Sequence, residues 1–179
     1  MRTDGYIYIH ARFATKSDLS WGSHQIPMLG DGVYAIIPLV VIVLDTSVFV
    51  SALLGPRGAS REVLSACLMR RLHPLMGAAL FAEYEALLSR STLFEKSHLD
   101  PAKRESLLNG FLNVCQWTNI YYGWRPNLRD EGDNHLIELA VAGGAAAIVT
   151  KNLRDLRSGE LHFPGLRILD PAGLLKEIS

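Results

Sequence analysis

An α/β domain built on a mainly parallel sheet is predicted by three observations. From Val40 onward, short β-branched runs alternate with longer stretches of helical period, the pattern of strands joined by crossover helices. The first run, Val40-Val41-Ile42-Val43-Leu44, is apolar at every position, as expected of a strand buried on both faces. It ends on Asp45-Thr46-Ser47, a carboxylate and two hydroxyls at a carboxyl strand end, where ligands bind in open α/β sheets.

The elements follow in order. Residues 1–38 are rich in Gly, Ser, Asp and aromatics without a sustained period, and read as an N-terminal extension. Met28, or a codon nearer Val40, is an alternative start. The domain occupies 39–179. After the first strand comes a turn at Gly55-Pro56-Arg57-Gly58, then a helix capped by Ser60 and running to about Arg71, with Val63, Leu64, Cys67 and Leu68 on its apolar face. His73–Met76 is a short strand, Ala79–Arg90 a second helix and Pro101–Val114 a third. Gln116–Tyr122 is read as a strand, Asp133–Ala142 as a helix, Ala145–Thr150 and Leu166–Leu169 as strands, with a last helix opening at Pro171.

The bulk composition narrows the class. A chain of 179 residues suffices for one domain with a sizeable core. Its 49% hydrophobic and 20% charged residues exclude a disordered chain. Eighteen Lys and Arg balance eighteen Asp and Glu, so no overall basic field draws nucleic acid. Cys67 and Cys115 lack CxxC spacing and read as buried, reduced thiols. The apolar stretch 33–54 is interrupted by Pro38 and Asp45, and a mid-helix Asp costs about 2.5–3.5 kcal/mol in a bilayer. No secretory pattern opens the chain. A soluble, cytoplasmic protein is expected.

Carboxylates gather at the predicted element edges: Asp45, then Glu83 and Glu85, then Asp130, Glu131 and Asp133, then Asp155. Phosphodiester hydrolysis is largely a problem of charge, and Mg²⁺ or Mn²⁺ held by carboxylates activates water and stabilises both oxygens. Without a cation, each like-charge pair about 4 Å apart costs on the order of 4 kcal/mol at an effective dielectric near 20. Each acid also has a plainer use. Asp133 suits a helix N-cap, one of Glu83 and Glu85 a solvated face, Asp130 a pair with Arg129 or Arg125, and Asp155 a surface pair among Lys151, Arg154 and Arg157. The six histidines show no HxH or HExxH spacing, which argues against zinc, and none is placed as a general acid. Ser47 and Ser51 lack a Gly-x-Ser-x-Gly setting. No GxGxxG or Walker motif occurs. Trp21, Trp117 and Trp124 read as packing residues.

Taken together, these segments resemble PIN-domain nucleases, particularly the toxin components of bacterial toxin–antitoxin modules. The resemblance rests on residues 43–53 (Val-Leu-Asp-Thr-Ser-Val-Phe-Val-Ser-Ala-Leu), on Ala82-Glu83-Tyr84, on Arg129-Asp130-Glu131-Gly132-Asp133-Asn134, on Ile148–Leu156 and on Pro164–Pro171. It spans about 40–176. It implies a three-layer α/β/α sandwich and a Mg²⁺- or Mn²⁺-dependent endoribonuclease acting on RNA. It also implies a cognate antitoxin partner and pairing of copies into a homodimer. By carry-over, Asp45, Glu83 and Asp133 are metal ligands, Asp130 assists catalysis, and Ser47 orients Asp45. Many members carry an acid where this chain has Asn152; Asp155 is the candidate substitute ligand. With these acids gathered around metal, the rest of the chain is net basic. Arg57, Arg61, Arg125, Arg129, Lys151, Arg154 and Arg157 then either hold RNA phosphates or form a solvated face. A non-catalytic RNA- or protein-binding module is the alternative, and an aspartyl-phosphate phosphatase is disfavoured by Ser47 standing where a second acid is required.

Overall fold

The computed structural model describes residues 40–95, 97–123, 128, 131–159, 161 and 163–178. The expected extension 1–38 lies outside the described residues, as do Asp130, Arg125, Arg129, Trp21 and Trp124. Five strands, β1 (Val41–Leu44), β2 (His73–Met76), β3 (Gln116–Trp117), β4 (Ala147–Val149) and β5 (Arg167–Leu169), form one sheet. Their order is β3-β2-β1-β4-β5, and every pairing is parallel. Around it lie α1 (Thr46–Leu54), α2 (Ala59–Leu68), α3 (Ala78–Leu88), α4 (Pro101–Leu112), α5 (Asn134–Ala142), α6 (Leu153–Leu156) and α7 (Pro171–Glu177).

The strand order dictates three layers. From β1 the chain steps outward to β2 and β3, then crosses back past β1 to β4 and β5. Right-handed crossovers running in opposite directions place their helices on opposite faces of the sheet. The α/β/α sandwich expected from the resemblance is therefore the observed architecture. The direction reverses between β1 and β4, and this switch point is the crevice where open α/β sheets bind ligands. Val43 pairs with Ile148 and Leu44 with Val149. Asp45 and Thr150 consequently leave the sheet side by side.

Burial explains why these segments are strands. Ile42, Val43, Leu44, Ala147, Ile148 and Val149 are all buried, which only a sheet covered on both faces allows. Pro74 inside β2 breaks no ladder bond. His73 donates to Val40 O, so the alternating backbone turns Pro74 N toward β3, which pairs only from Leu75 onward. Beneath the helices, Phe49, Tyr84 and Phe111 pack with ring centroids 4.9–5.7 Å apart, favourable aromatic geometry. Cys67 is buried and Cys115 half-buried, both as free thiols. No helix among the described residues is long and apolar enough to cross a membrane.

The structure departs from the sequence expectations at four places. Thr46–Leu54 is a helix, α1, held by burial of Val48, Phe49, Ala52 and Leu53 on one face. Helix α2 opens at Ala59 after Gly58, not at a Ser60 cap; Gly58 has φ +119°, a conformation that serine rarely adopts. Strand β3 stops at Trp117 because β2 offers partners only at Leu75 and Met76. The turn α6 follows Asn152, where no helix was read.

Candidate metal centre

Asp45 is positioned by both strands of the switch point. Its backbone N–H donates to Val149 O at 2.9 Å, and its carboxylate caps α1 by accepting from Ser47 N at 3.1 Å. The negative charge thus sits at a helix N-terminus, where the dipole favours it. Three hydroxyls converge on the same carboxylate: Thr46 Oγ1 at 3.2 Å, Ser47 Oγ at 2.7 Å and Thr150 Oγ1 at 2.5 Å. Asp45 is only 8% exposed, and a buried carboxylate needs such donors. The loop after β4 is tied in turn: Lys151 N donates to Ser47 Oγ and Asn152 N to Thr150 Oγ1.

Glu83 reaches the site from α3. Its neighbour Tyr84 is buried in the aromatic core, and the Tyr84 hydroxyl donates to Leu44 O at 2.9 Å. That bond sets the rotation of α3 and leaves Glu83 half-buried at the sheet edge, whereas Glu85 is exposed. Burial pushes the Glu83 carboxyl above the ordinary carboxylate range. His135 opposes the rise, Asp45 and Asp133 add to it, and a hydrogen bond from Thr46 opposes it again. Two acids from separate segments, Asp45 and Asp133, therefore act on Glu83.

Asp133 stands at the cap position of α5 but makes no capping bond through its side chain. Its backbone is already helical, at φ −84° and ψ −7°, closing the short 3-10 turn Glu131–Asp133. Capping geometry requires an extended residue, so the plainer use considered for Asp133 is not the one observed. Asp155 lies in α6, and its Oδ2 accepts from Asn152 Nδ2 at 2.6 Å. Asn152 is thus an amide that holds the neighbouring acid.

His135 was not singled out by its sequence position. It is 4% exposed, with Nδ1 2.6 Å from Gly132 O. A carbonyl only accepts, so Nδ1 carries a proton. Nε2 faces Glu83 Oε1 at 3.7 Å and has no hydrogen-bond partner among the described residues. The spacing of Asp133 and His135 around a predicted helix start was the available signal. The basic residues are dispersed: Arg61 donates to Ala52 O, Arg157 to Ile168 O and Lys151 Nζ to Ser51 Oγ, while Arg57 and Arg154 are exposed. Trp117, expected to pack, is 55% exposed with one edge against Phe81.

Carboxylate donors suit a hard divalent cation. Among the described residues no three His, Cys, Asp or Glu side chains group closely enough to cage an ion by themselves. Magnesium does not require a cage, because it retains several waters and takes one or two carboxylates.

The class of protein follows from the family comparison. A family model of the PIN domain matches residues 41–154. The chain belongs to the PIN-domain family. Among solved structures, it is similar to the crystal structure of VapBC2 from Rickettsia felis bound to a DNA fragment from their promoter. The identity is 17%, the match covers 72% of this chain and 96% of that chain, and the TM-score is 0.49. No curated protein matches the chain by sequence.

Proposed function

We propose that this protein is a metal-dependent endoribonuclease that hydrolyses RNA phosphodiester bonds and is held in check by a cognate antitoxin protein. The reading is supported by the match to the PIN-domain family together with the electrostatic action of Asp45 and Asp133 on Glu83 beside the switch point. These three residues would hold Mg²⁺ or Mn²⁺, with Asp130 assisting and Asp155 as the candidate further ligand. Bound there, the ion would supply an activated water and neutralise charge on the phosphate.

The chain's own residues prepare that chemistry. Thr46, Ser47 and Thr150 hold the Asp45 carboxylate in one orientation, so little reorganisation is needed when substrate arrives. Attack on phosphorus is read as direct and in line, by water, without a covalent enzyme intermediate. The antitoxin and homodimer formation through apolar helices belong to the same reading and rest on the resemblance of the motifs, while a cytoplasmic location rests on the composition of the chain.

The test joins binding to turnover in the full chain. Thermal melting with millimolar Mg²⁺ or Mn²⁺ is expected to raise the midpoint of wild type and leave Asp45→Asn unchanged. At 100 times the dissociation constant the gain is about 2.7 kcal/mol. Single-stranded RNA is expected to be cut by wild type, with loss of cutting in EDTA and in Asp45→Asn. Metal-independent RNA binding without cleavage would replace this reading with the non-catalytic module, which Asn152 in place of an acid favours.

A further inference from the structure

The imidazole of His135 is oriented through one ring nitrogen and left without a partner at the other. Nδ1–H donates to Gly132 O at 2.6 Å, so the neutral ring carries its lone pair on Nε2. That nitrogen is buried and meets no hydrogen-bond partner among the described residues. A buried polar atom in this condition is rare, and calls for an explanation. Nε2 faces Glu83 Oε1 at 3.7 Å, so two acceptors look at one another across a gap.

The length of the gap decides what belongs in it. At 3.7 Å the two atoms lie beyond hydrogen-bond reach, and a proton on Nε2 would not join them. Two ligands each about 2.0–2.2 Å from one ion lie within about 4.4 Å of each other, so a shared ion suits the same spacing. The bond from Nδ1 to a backbone carbonyl is the support that ligating histidines commonly have. It fixes the tautomer and the ring plane, and raises the basicity of the other nitrogen. The ring is only 4% exposed, whereas the Glu83 side chain, 40% exposed, has room to turn toward an entering ion.

We infer that His135 Nε2 is a ligand of the divalent cation at this centre, beside the Glu83 carboxylate. The inference rests on the metal reading proposed above, and adds a nitrogen to a donor set otherwise made of oxygen. Mg²⁺ takes oxygen donors, whereas imidazole nitrogen suits transition ions. His135 therefore shifts the preference of the centre from Mg²⁺ toward Mn²⁺.

The experiment uses the full chain, stripped of metal with EDTA, dialysed and loaded with Mn²⁺. Loss of the free-ion electron paramagnetic resonance signal measures binding, and pulsed spectra of the bound ion detect a coupled imidazole nitrogen. Wild type should show that coupling, and its pattern should change when the protein is made with ¹⁵N-histidine. His135→Gln should lose the coupling, bind Mn²⁺ about tenfold more weakly or worse, and lose less affinity for Mg²⁺. A companion variant leaves His135 untouched, in case its replacement disturbs folding. The other five of the six histidines are replaced by Gln, and the coupling should persist. Mn²⁺ bound to wild type without nitrogen coupling overturns the ligand and leaves a carboxylate-only ribonuclease standing. Coupling that survives His135→Gln, or that vanishes when His135 is the sole histidine, does the same. Nitrogen-coupled Mn²⁺ with no cutting of single-stranded RNA keeps the ligand and sinks the ribonuclease. Wild type that binds no Mn²⁺ at millimolar concentration overturns both.

Discussion

Replacing Thr150 by Val isolates the contact that joins the two strands of the switch point. Thr150 is fully buried, and its hydroxyl donates to Asp45 Oδ2 at 2.5 Å while accepting from Asn152 N at 2.8 Å. Val has the same shape and lacks the hydroxyl. A hydrogen bond to a charged group contributes about 1.5–3 kcal/mol. Burying a methyl in place of the hydroxyl returns about 0.8 kcal/mol. Asn152 is exposed, so water replaces the acceptor of its N–H at little cost. The net loss is about 1–2 kcal/mol, or roughly 2–8 °C in the midpoint for a chain of this size. Urea denaturation at pH 7 in EDTA measures it, with Thr150→Ser as the control that keeps the hydroxyl. Stability in the Val variant equal to or above that of wild type would refute the reasoning, for the hydroxyl would then contribute nothing to holding Asp45.

Two other predictions test the site's charge and the core's packing. Burial raises the proton affinity of Glu83, His135 opposes this, and Asp45 and Asp133 raise it further. A carboxyl raised on folding contributes stability at acid pH that is lost as pH climbs through its folded value. Glu83→Gln should therefore exceed wild type in stability at pH 7 in EDTA, by no more than about 1 kcal/mol for a half-exposed charge. The difference should vanish toward pH 4, and the variant should gain less from Mg²⁺; a less stable variant at pH 7 contradicts the argument. At Gly143, an added Cβ would lie 2.2 Å from Leu75 Cδ1, and Leu75 is 1% exposed in β2. Gly143→Ala should cost about 1–3 kcal/mol by overpacking, measured by chemical denaturation. Leu75→Val should recover part of that loss in the double variant, whereas strictly additive losses would show that the two sites do not touch.

Much of the sheet was legible because burial on both faces leaves a continuous apolar run. His73–Met76 was read with its observed boundaries, and the runs at Val40 and Ala145 contain β1 and β4. Helix α1 was not read, although both its signals were present. Val48, Phe49, Ala52 and Leu53 recur at helical spacing, and Asp45 is a helix cap. The β-branched residues obscured the period, and the capping role of Asp45 was not read. Strand β3 was overextended because Gln116–Tyr122 has strand composition, while ladder length is set by the partner strand. The position of His135 depends on the 3-10 turn before α5, which turns its ring toward α3. No local pattern encodes that turn.

The way the acids are accommodated explains why this site stays open to a cation. Among the described residues no Lys or Arg forms an ion pair with Asp45 or Glu83. Asp45 is satisfied by three hydroxyls and one backbone N–H. Neutral donors orient a carboxylate without cancelling its charge. An Arg or Lys in the same place would have removed the repulsion and with it the demand for a metal. The repulsion felt at Glu83 is therefore retained by the choice of donors. On the proposed reading a divalent ion bound there would relieve it, and this ties the metal response of Glu83→Gln to its stability in EDTA. If both effects appear together in one variant, they have one cause.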